Sequence, residues 1–257
     1  MMDVVATIQA RMGSTRLPGK VLKEVCGKPL LQYQIERVRR SRLIDDVVIA
    51  TTTGSQDDAI DELGERLGVK VFRGPEEDVL KRIALLLDEH DVDLHVELVG
   101  DSPLADPQII DEVIGFYLKN AADYDYVSNG TEVTYPAGME VNVYPAAVLI
   151  EADAMVAATD PLREHVDIHL SKNPHFRSYC LRAPRYLHRP DVFLEVDTTR
   201  DFEMLSQVIT HFMNRGKEHF SLAQILEYLE VRPELVKINQ SEDRKYWQFK
   251  DKPSIPT

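Results

Sequence analysis

Short apolar runs at regular spacing dominate the first half of the chain. Residues 4–9 (VVATIQ) and 46–51 (DVVIAT) are rich in β-branched and small apolar residues, as strands buried on both faces require. Residues 69–72 and 95–99 (HVELV) read the same way. Between them the period changes. Within 29–40, Leu30, Leu31, Ile35 and Val38 recur at helical spacing, and 57–67, 77–90 and 107–118 also read as helices. Strand and helix alternating in this way predict βαβ units, and hence an α/β fold with a mostly parallel sheet and helices on both faces.

Beyond residue 120 the alternation loosens. Strands are expected near 125–128, 140–144, 176–181 and 193–196, and helices near 146–158, 163–170, 202–213 and 222–229. A polar, proline-containing tail follows over 241–257. There is no internal repeat and no low-complexity segment. The organisation expected is a single domain over 1–240, with an inserted or dimer-forming subregion at about 130–190.

Composition narrows the function classes. With 44% apolar and 28% charged residues over 257 positions, the chain is ordinary for a globular protein with a substantial core. Cys26 and Cys180 are too few for a disulfide scaffold, and their spacing matches no metal motif. No apolar run approaches the ~18 residues of a membrane span, and no basic segment precedes an apolar stretch near the start, so a cytoplasmic protein is expected. The net charge of −13 argues against nucleic acid, which needs a broad basic face.

Against that acidity one stretch stands out. Residues 11–34 hold Arg11, Arg16, Lys20, Lys23 and Lys28 against a single acid, Glu24. Screening confines charge effects to about 8 Å at physiological salt, so a local cluster can attract an anion that the protein as a whole repels. Three of the five, Arg11, Arg16 and Lys20, lie in IQARMGSTRLPGKVL, residues 8–22, which runs on from the first strand. It is not a Walker A loop: five residues separate Gly13 from Gly19, and Val21 follows Lys20 where a metal-binding hydroxyl would be needed.

In open α/β sheets ligands bind beyond the carboxyl ends of the strands. Four stretches fall there: the basic loop, TTTG at 51–54, GDSP at 100–103 and VDTT at 196–199. Gly100 permits a sharp turn and a close approach. Asp101 and Asp197, each following an apolar run, suit the one or two carboxylates that hold Mg²⁺ on a triphosphate; as single residues they suit helix N-caps equally well. Other candidates are weaker. His165 and His169 are four apart, but no third zinc ligand is evident. The DYD of residues 123–125, a pattern shared with nucleotide-sugar glycosyltransferases, precedes its strand rather than following one. No GxGxxG occurs, and Ser14 reads as a phosphate hydrogen-bond donor rather than a nucleophile.

IQARMGSTRLPGKVL closely resembles the signature of the cytidylyltransferases that activate acidic sugars, a family that includes the CMP-sialic acid and CMP-Kdo synthetases, and most of all their spore-coat-polysaccharide-type branch. ATTTG at 50–54, FRGPEEDVLKR at 72–82, GDSPLADP at 100–107, YPAGMEVNVY at 135–144, REHV at 163–166 and VDTTRDFE at 196–203 extend the resemblance over residues 3–210. It implies a Rossmann-like nucleotidyltransferase fold, a homodimer, and transfer of CMP from CTP to an acceptor with release of pyrophosphate. It also implies roles. Arg11, Ser14, Arg16 and Lys20 would clasp the triphosphate, and the main chain around Gln9 and Ala10 would lie near the nucleotide. Thr51, Thr52 and the segment from Asp78 to Arg82 would flank cytosine and ribose. Asp101 and Asp197 would hold Mg²⁺, and Glu140, Asn142, Arg163, Glu164 and His165 would face the acceptor.

One departure bears on the acceptor. The segment that often reads Gly-Leu-Asp-Val-Glu in this branch is Gly138-Met139-Glu140-Val141-Asn142, so the second carboxylate is a neutral amide. A sugar-acid carboxylate would need a cation, for which Arg163, Arg185 and Arg189 are available, and His165, His188 or an aspartate could take the acceptor's proton. A glycosyltransferase of similar fold and a non-catalytic nucleotide-binding module are the alternative readings.

Overall fold

The structure, a computed structural model, describes residues 2–244, so most of the expected tail lies outside the described residues. The chain runs through β1 (Val4–Gln9), the small hairpin β2 (Glu24–Val25) and β3 (Lys28–Pro29), α1 (Leu30–Val38), β4 (Asp46–Thr52), α2 (Asp58–Leu67), β5 (Lys70–Gly74), α3 (Val79–Glu89), β6 (Leu94–Val99) and α4 (Pro107–Asn120). It continues through β7 (Tyr126–Ser128), β8 (Asn142–Pro145), α5 (Ala146–Met155), α6 (Ile168–Ser171), β9 (Ser178–Cys180), α7 (Thr199–Met213), α8 (Leu222–Glu230) and α9 (Pro233–Asn239).

Seven strands form one sheet in the order β5-β4-β1-β6-β8-β7-β9. β1 lies between β4 and β6 and is parallel to both. β8 runs antiparallel to both β6 and β7. That reversal puts the first residue of β8, Asn142, at the same edge as the carboxyl ends of β1, β4 and β6, opposite Glu97 in the register. Alternate β1 residues feed two cores. Ala6 and Ile8 pack with α1, α4, α7 and α8, while Val5 packs with α3, α5 and Leu170 of α6.

The structure departs from the sequence expectation in four places. Residues 193–196 form no ladder, only an isolated parallel bridge of Phe193 with Ala137: Leu194 N–H donates to the Ala137 carbonyl at 2.8 Å and Val196 N–H to the Asp101 carbonyl at 2.8 Å. Bonding to two separate points gives a strut across the sheet's edge rather than a strand. The helix expected at 163–170 is a 3-10 turn, Pro161–Glu164, followed by the single turn of α6. The bonds of Arg163 to other elements, described below, fix that turn in place of helical periodicity. α9 and the β2–β3 hairpin were not expected, although Pro at the first turn of α9 is a recognised helix start.

The expected polar tail begins inside the fold. Arg244, with its side chain 3% exposed, pairs with Glu195 at 3.0 Å and Asp201 at 2.7 Å, and its guanidinium lies 4.3 Å from the centre of the Phe193 ring. Burial first, then the neighbouring Asp101 and Glu140, push the Glu195 carboxyl well above the usual range; Arg244 is the cation that opposes them. Removing one partner of such a buried group strands the other charges. Arg244→Met is therefore expected to lower the unfolding free energy by about 3–5 kcal/mol in urea titrations. A loss below about 1 kcal/mol would mean that Glu195 and Asp201 do not depend on that cation.

Candidate active site

The basic loop leaves β1 with the Ala10 N–H donating to the Ala50 carbonyl at 3.0 Å. One carboxylate then holds its path. Asp57, fully buried before α2, accepts from Met12 N–H at 2.7 Å, Thr52 N–H at 3.1 Å, the Thr51 hydroxyl at 3.0 Å and the Thr52 hydroxyl at 2.5 Å. Burial works against its charge, but these donors outweigh burial and hold its pKa below the usual value. Inside the loop the Met12 carbonyl accepts from Ser14 N–H at 2.9 Å and Gly19 N–H at 3.0 Å, with Gly19 in the left-handed region at φ 65°. Leu17 and Val21 are buried beneath. The loop is thus fixed from its interior, and its polar side chains face outward.

They face a cleft of about 380 Å³ beyond the carboxyl ends of β1 and β6. Gln9, Ala10, Arg11, Ser14, Arg16 and Lys20 line one side; Arg82, Asp101, Glu164, His165 and Asp197 line the rest, with Val79, Val99 and Gly100. Gly100 brings the two sides together. Its N–H bonds the Gln9 carbonyl at 2.8 Å, and a Cβ there would stand 2.6 Å from that oxygen. Asp197 is set by its own N–H donating to Asp201 at 3.0 Å, inside the capping box that starts α7.

Charge is concentrated at the centre of this cleft. The Lys20 ammonium lies 2.7 Å from Asp197 and 3.4 Å from Asp101, and Arg16 reaches Asp197 at 2.5 Å. Burial opposes charge on all three groups of the Lys20–Asp101–Asp197 set, but unequally. The two aspartates outweigh it for Lys20, whose pKa is raised. Lys20 and Arg16 outweigh it for Asp197, whose pKa is lowered. At Asp101, burial together with Asp197 and Glu140 prevails, and the pKa is raised. Asp101 is the under-neutralised member, a carboxylate that a further cation would stabilise.

A family profile described as cytidylyltransferase matches residues 5–239. The chain belongs to the cytidylyltransferase family. It is 35% identical over 210 residues to the spore coat polysaccharide biosynthesis protein SpsF of Bacillus subtilis, covering 80% of this chain and 85% of that one. It is 36% identical over 121 residues to a 3-deoxy-manno-octulosonate cytidylyltransferase of Geobacter sulfurreducens, covering 47% and 48% of the two chains. The solved structure of a cytidylyltransferase from Leptospira borgpetersenii superposes with a TM-score of 0.86 at 29% identity, covering 95% of this chain and 99% of that one. The protein is therefore a nucleotidyltransferase that moves a cytidylyl group from CTP, built on the fold that its first signature implied.

Several residues assigned to this cytidylyltransferase's substrates are engaged elsewhere. The Thr51 and Thr52 side chains are buried on Asp57 and shape the loop rather than line the cleft. Asp78 caps α3 through Lys81 N–H at 2.9 Å and accepts from Arg163 Nε at 2.8 Å. Arg163, 5% exposed, also bonds Asp153 and the Val156 carbonyl, so it ties the 3-10 turn to α3 and α5, and it is not among the residues lining the cleft. Glu140 accepts from Gly138 N–H at 2.7 Å, and Asn142 bonds Tyr126, Ser128 and Glu97 within the sheet; neither lines the cleft. Arg189 pairs with Asp191 outside the cleft. Of the two histidines weighed as proton acceptors, His165 lines the cleft and His188 does not. Asp125 of DYD is held by Arg177 just before β7, so that motif has a structural use.

Sequence reasoning missed Asp57 and Glu97. An acid shortly after TTTG is a local signal for the first, but nothing in the sequence links it to Met12. Glu97, 4% exposed in β6, accepts from Gln9 Nε2 at 2.6 Å, Tyr144 OH at 3.0 Å and Asn142 Nδ2 at 3.3 Å. Burial, then the charge of Asp167, lifts its pKa from 4.5 to about 7, against those three donors. The unfolded chain releases this proton near pH 4.5 and the folded chain near 7, so the folded state binds more protons between them. Stability attached to Glu97 is thus present in acid and lost as pH rises through that window, with an upper bound on the order of 3 kcal/mol. Glu97→Gln is expected to raise Tm by several degrees at pH 8 and to change it little below about pH 4.5. An equal shift at both pH values would show that the gain does not come from Glu97 ionisation.

Proposed function

We propose that this cytidylyltransferase transfers CMP from CTP to a sugar acid, releasing pyrophosphate, in the synthesis of a surface polysaccharide or glycoconjugate. The observation that carries the reading is the cleft itself: Arg11, Ser14, Arg16 and Lys20 on a rigid loop, directly across from Asp101 and Asp197. Guanidinium groups grip phosphate through paired donors and Lys acts as a point charge, so this wall suits a triphosphate. The opposite wall suits a hard divalent cation. Two carboxylates converge there, and the shortfall of positive charge at Asp101 is the state a cation relieves. Asp101 and Asp197 would hold Mg²⁺, which when bound would neutralise phosphate charge.

The chain's own residues then divide the work. An acceptor oxygen attacks the α-phosphorus in line; the new P–O bond forms as the bond to the pyrophosphate oxygen breaks. Arg11, Arg16 and Lys20 take up the charge that develops on the phosphoryl and leaving oxygens, without reorganising, because Asp57 has already fixed the loop. His165, beside Glu164 at 3.3 Å, is the histidine in the cleft placed to take the acceptor's proton, a role open also to an aspartate there. Arg82, 3% exposed and bonded to the Pro75 carbonyl at 2.6 Å, belongs to the nucleoside end with the main chain of Gln9 and Ala10. A sugar acid as acceptor is supported by the named activities of the relatives. A homodimer using residues 130–190 and a cytoplasmic site of reaction, where CTP is made, complete the proposal. No helix among the described residues is long and apolar enough to cross a membrane.

The test is pyrophosphate release from CTP and Mg²⁺ with a panel including 3-deoxy-manno-octulosonate and N-acetylneuraminate. At least one acid should be turned over, and Asp101→Ala should cost about a hundredfold or more in kcat. No release with any acid, together with tighter binding of a nucleotide-sugar than of CTP, would instead support a glycosyltransferase.

A further inference from the structure

Glu97 is a buried carboxylate that the reaction as described does not use. All three of its hydrogen-bond donors are neutral: Gln9, Asn142 and Tyr144. A carboxylate buried without a cation is unfavourable unless its polarity serves something. Two of the donors are accounted for within the sheet. Asn142 gives its amide N–H to Glu97 and accepts on Oδ1 from Tyr126 OH at 2.8 Å and Ser128 Oγ at 2.7 Å. Tyr144 is fully buried against His95. Gln9 alone lines the cleft.

We propose that Glu97 is a positioning residue that fixes the polarity of the Gln9 carboxamide, so that Gln9 Oε1 faces the cleft and accepts a hydrogen bond from a hydroxyl of the acceptor. An ionised carboxylate only accepts, so the amide must turn its NH₂ towards Glu97 at 2.6 Å, and its carbonyl oxygen is left for the cleft. Gln9 alternates with Thr7 and Val5 on the face of β1 that packs with α3, α5, Val166 and Leu170, whereas the loop's Leu17 and Val21 belong to the core on the other face. That face carries the segment next to His165 and assigns the carboxamide to the acceptor. Val99, paired with Gln9 in the register and 40% exposed, offers no competing polar group at that position. This assignment rests on the sugar-acid reading above, and names the group that reads a hydroxyl of that substrate.

The ionisation of Glu97 is set by its surroundings on every side. Burial, then Asp167 before α6, opposes it; Tyr144 from β8, Asn142 from β8 and Gln9 from β1 favour it. His95, two residues back on the same strand face, is fully buried with its pKa depressed to about 3, so it stays neutral. Near neutral pH the carboxylate is therefore on the edge of protonation, where a Glu97 O–H could bond the amide oxygen and release the constraint on Gln9.

Steady-state kinetics of the full chain, with whichever acid of the panel is turned over, test the assignment. In Glu97→Gln, whose amide no longer dictates which way Gln9 turns, KM for the acceptor should rise about three- to tenfold at pH 8, with KM for CTP within twofold. Gln9→Leu should do the same, and the double variant should be no worse than Gln9→Leu alone. Wild-type acceptor KM should rise as pH falls below about 7, and Glu97→Gln should lack that limb. A rise in KM for CTP instead would put the carboxamide on the nucleotide and overturn the assignment. Unchanged constants in both variants would leave Glu97 a purely structural residue. A wild type inactive on the whole panel defeats the sugar-acid reading and this one with it, and is told apart because no variant is needed to see it.

Discussion

Two carboxylates held side by side in a half-buried cleft repel each other and resist burial, and the site depends on how that cost is met. Asp101 ends one strand segment and Asp197 ends the extended strut beside it, joined by the bond from Val196 N–H to the Asp101 carbonyl at 2.8 Å. Lys20 sits between them, closer to Asp197. That ammonium can be there only because the loop carrying it is folded back on itself. The fold-back depends in turn on Asp57 gripping Met12 and on Gly100 allowing the ends of β1 and β6 to approach. Behind Asp197, Asp201 receives the Asp197 and Thr198 N–H groups and is itself neutralised by Arg244. A chain of ion pairs and hydrogen bonds therefore runs from Arg244 through Asp201 and Asp197 into the cleft.

This arrangement explains how a protein of net charge −13 can offer a site to a polyanion. The attraction is local, confined by screening to the loop and the few carboxylates it faces. It also explains the inequality between the aspartates. Asp197 has both Arg16 and Lys20, whereas Asp101 has the longer half of one ion pair and two acidic neighbours. A cation and a triphosphate arriving together would relieve both imbalances, supplying positive charge to Asp101 and negative charge to Arg16 and Lys20.

Much of this was legible before any coordinates. The parallel half of the sheet follows from short, mostly apolar runs such as VVATIQ and DVVIAT, and the loop declared itself by the five cations against one acid over residues 11–34. What failed to show was the use to which polar side chains are put. Arg163 and Asp78 carry the right chemistry for substrate, yet they satisfy each other at 2.8 Å, and pairwise partners from distant segments leave no trace in one sequence. The same holds for Thr51 and Thr52 on Asp57. Asn142 looked like a lost carboxylate; the reversal of β8 sets it opposite Glu97, so a carboxylate is present at that level of the sheet on the neighbouring strand. Residues 193–196 read as a strand because composition reports extension and burial, not whether a ladder partner runs alongside.

The central claim is that the loop and the two aspartates together form a site for CTP with a divalent cation. Thermal stabilisation by CTP, UTP, ATP and GTP, each with and without Mg²⁺, tests it without any knowledge of the acceptor. Ligand at about a hundred times its dissociation constant adds about 2.7 kcal/mol, which is readily seen as a rise in Tm. The account predicts a shift selective for CTP, larger with Mg²⁺, and reduced in Asp101→Ala. A flat response to all four nucleotides, or an equal response to all four that ignores Mg²⁺, would contradict it.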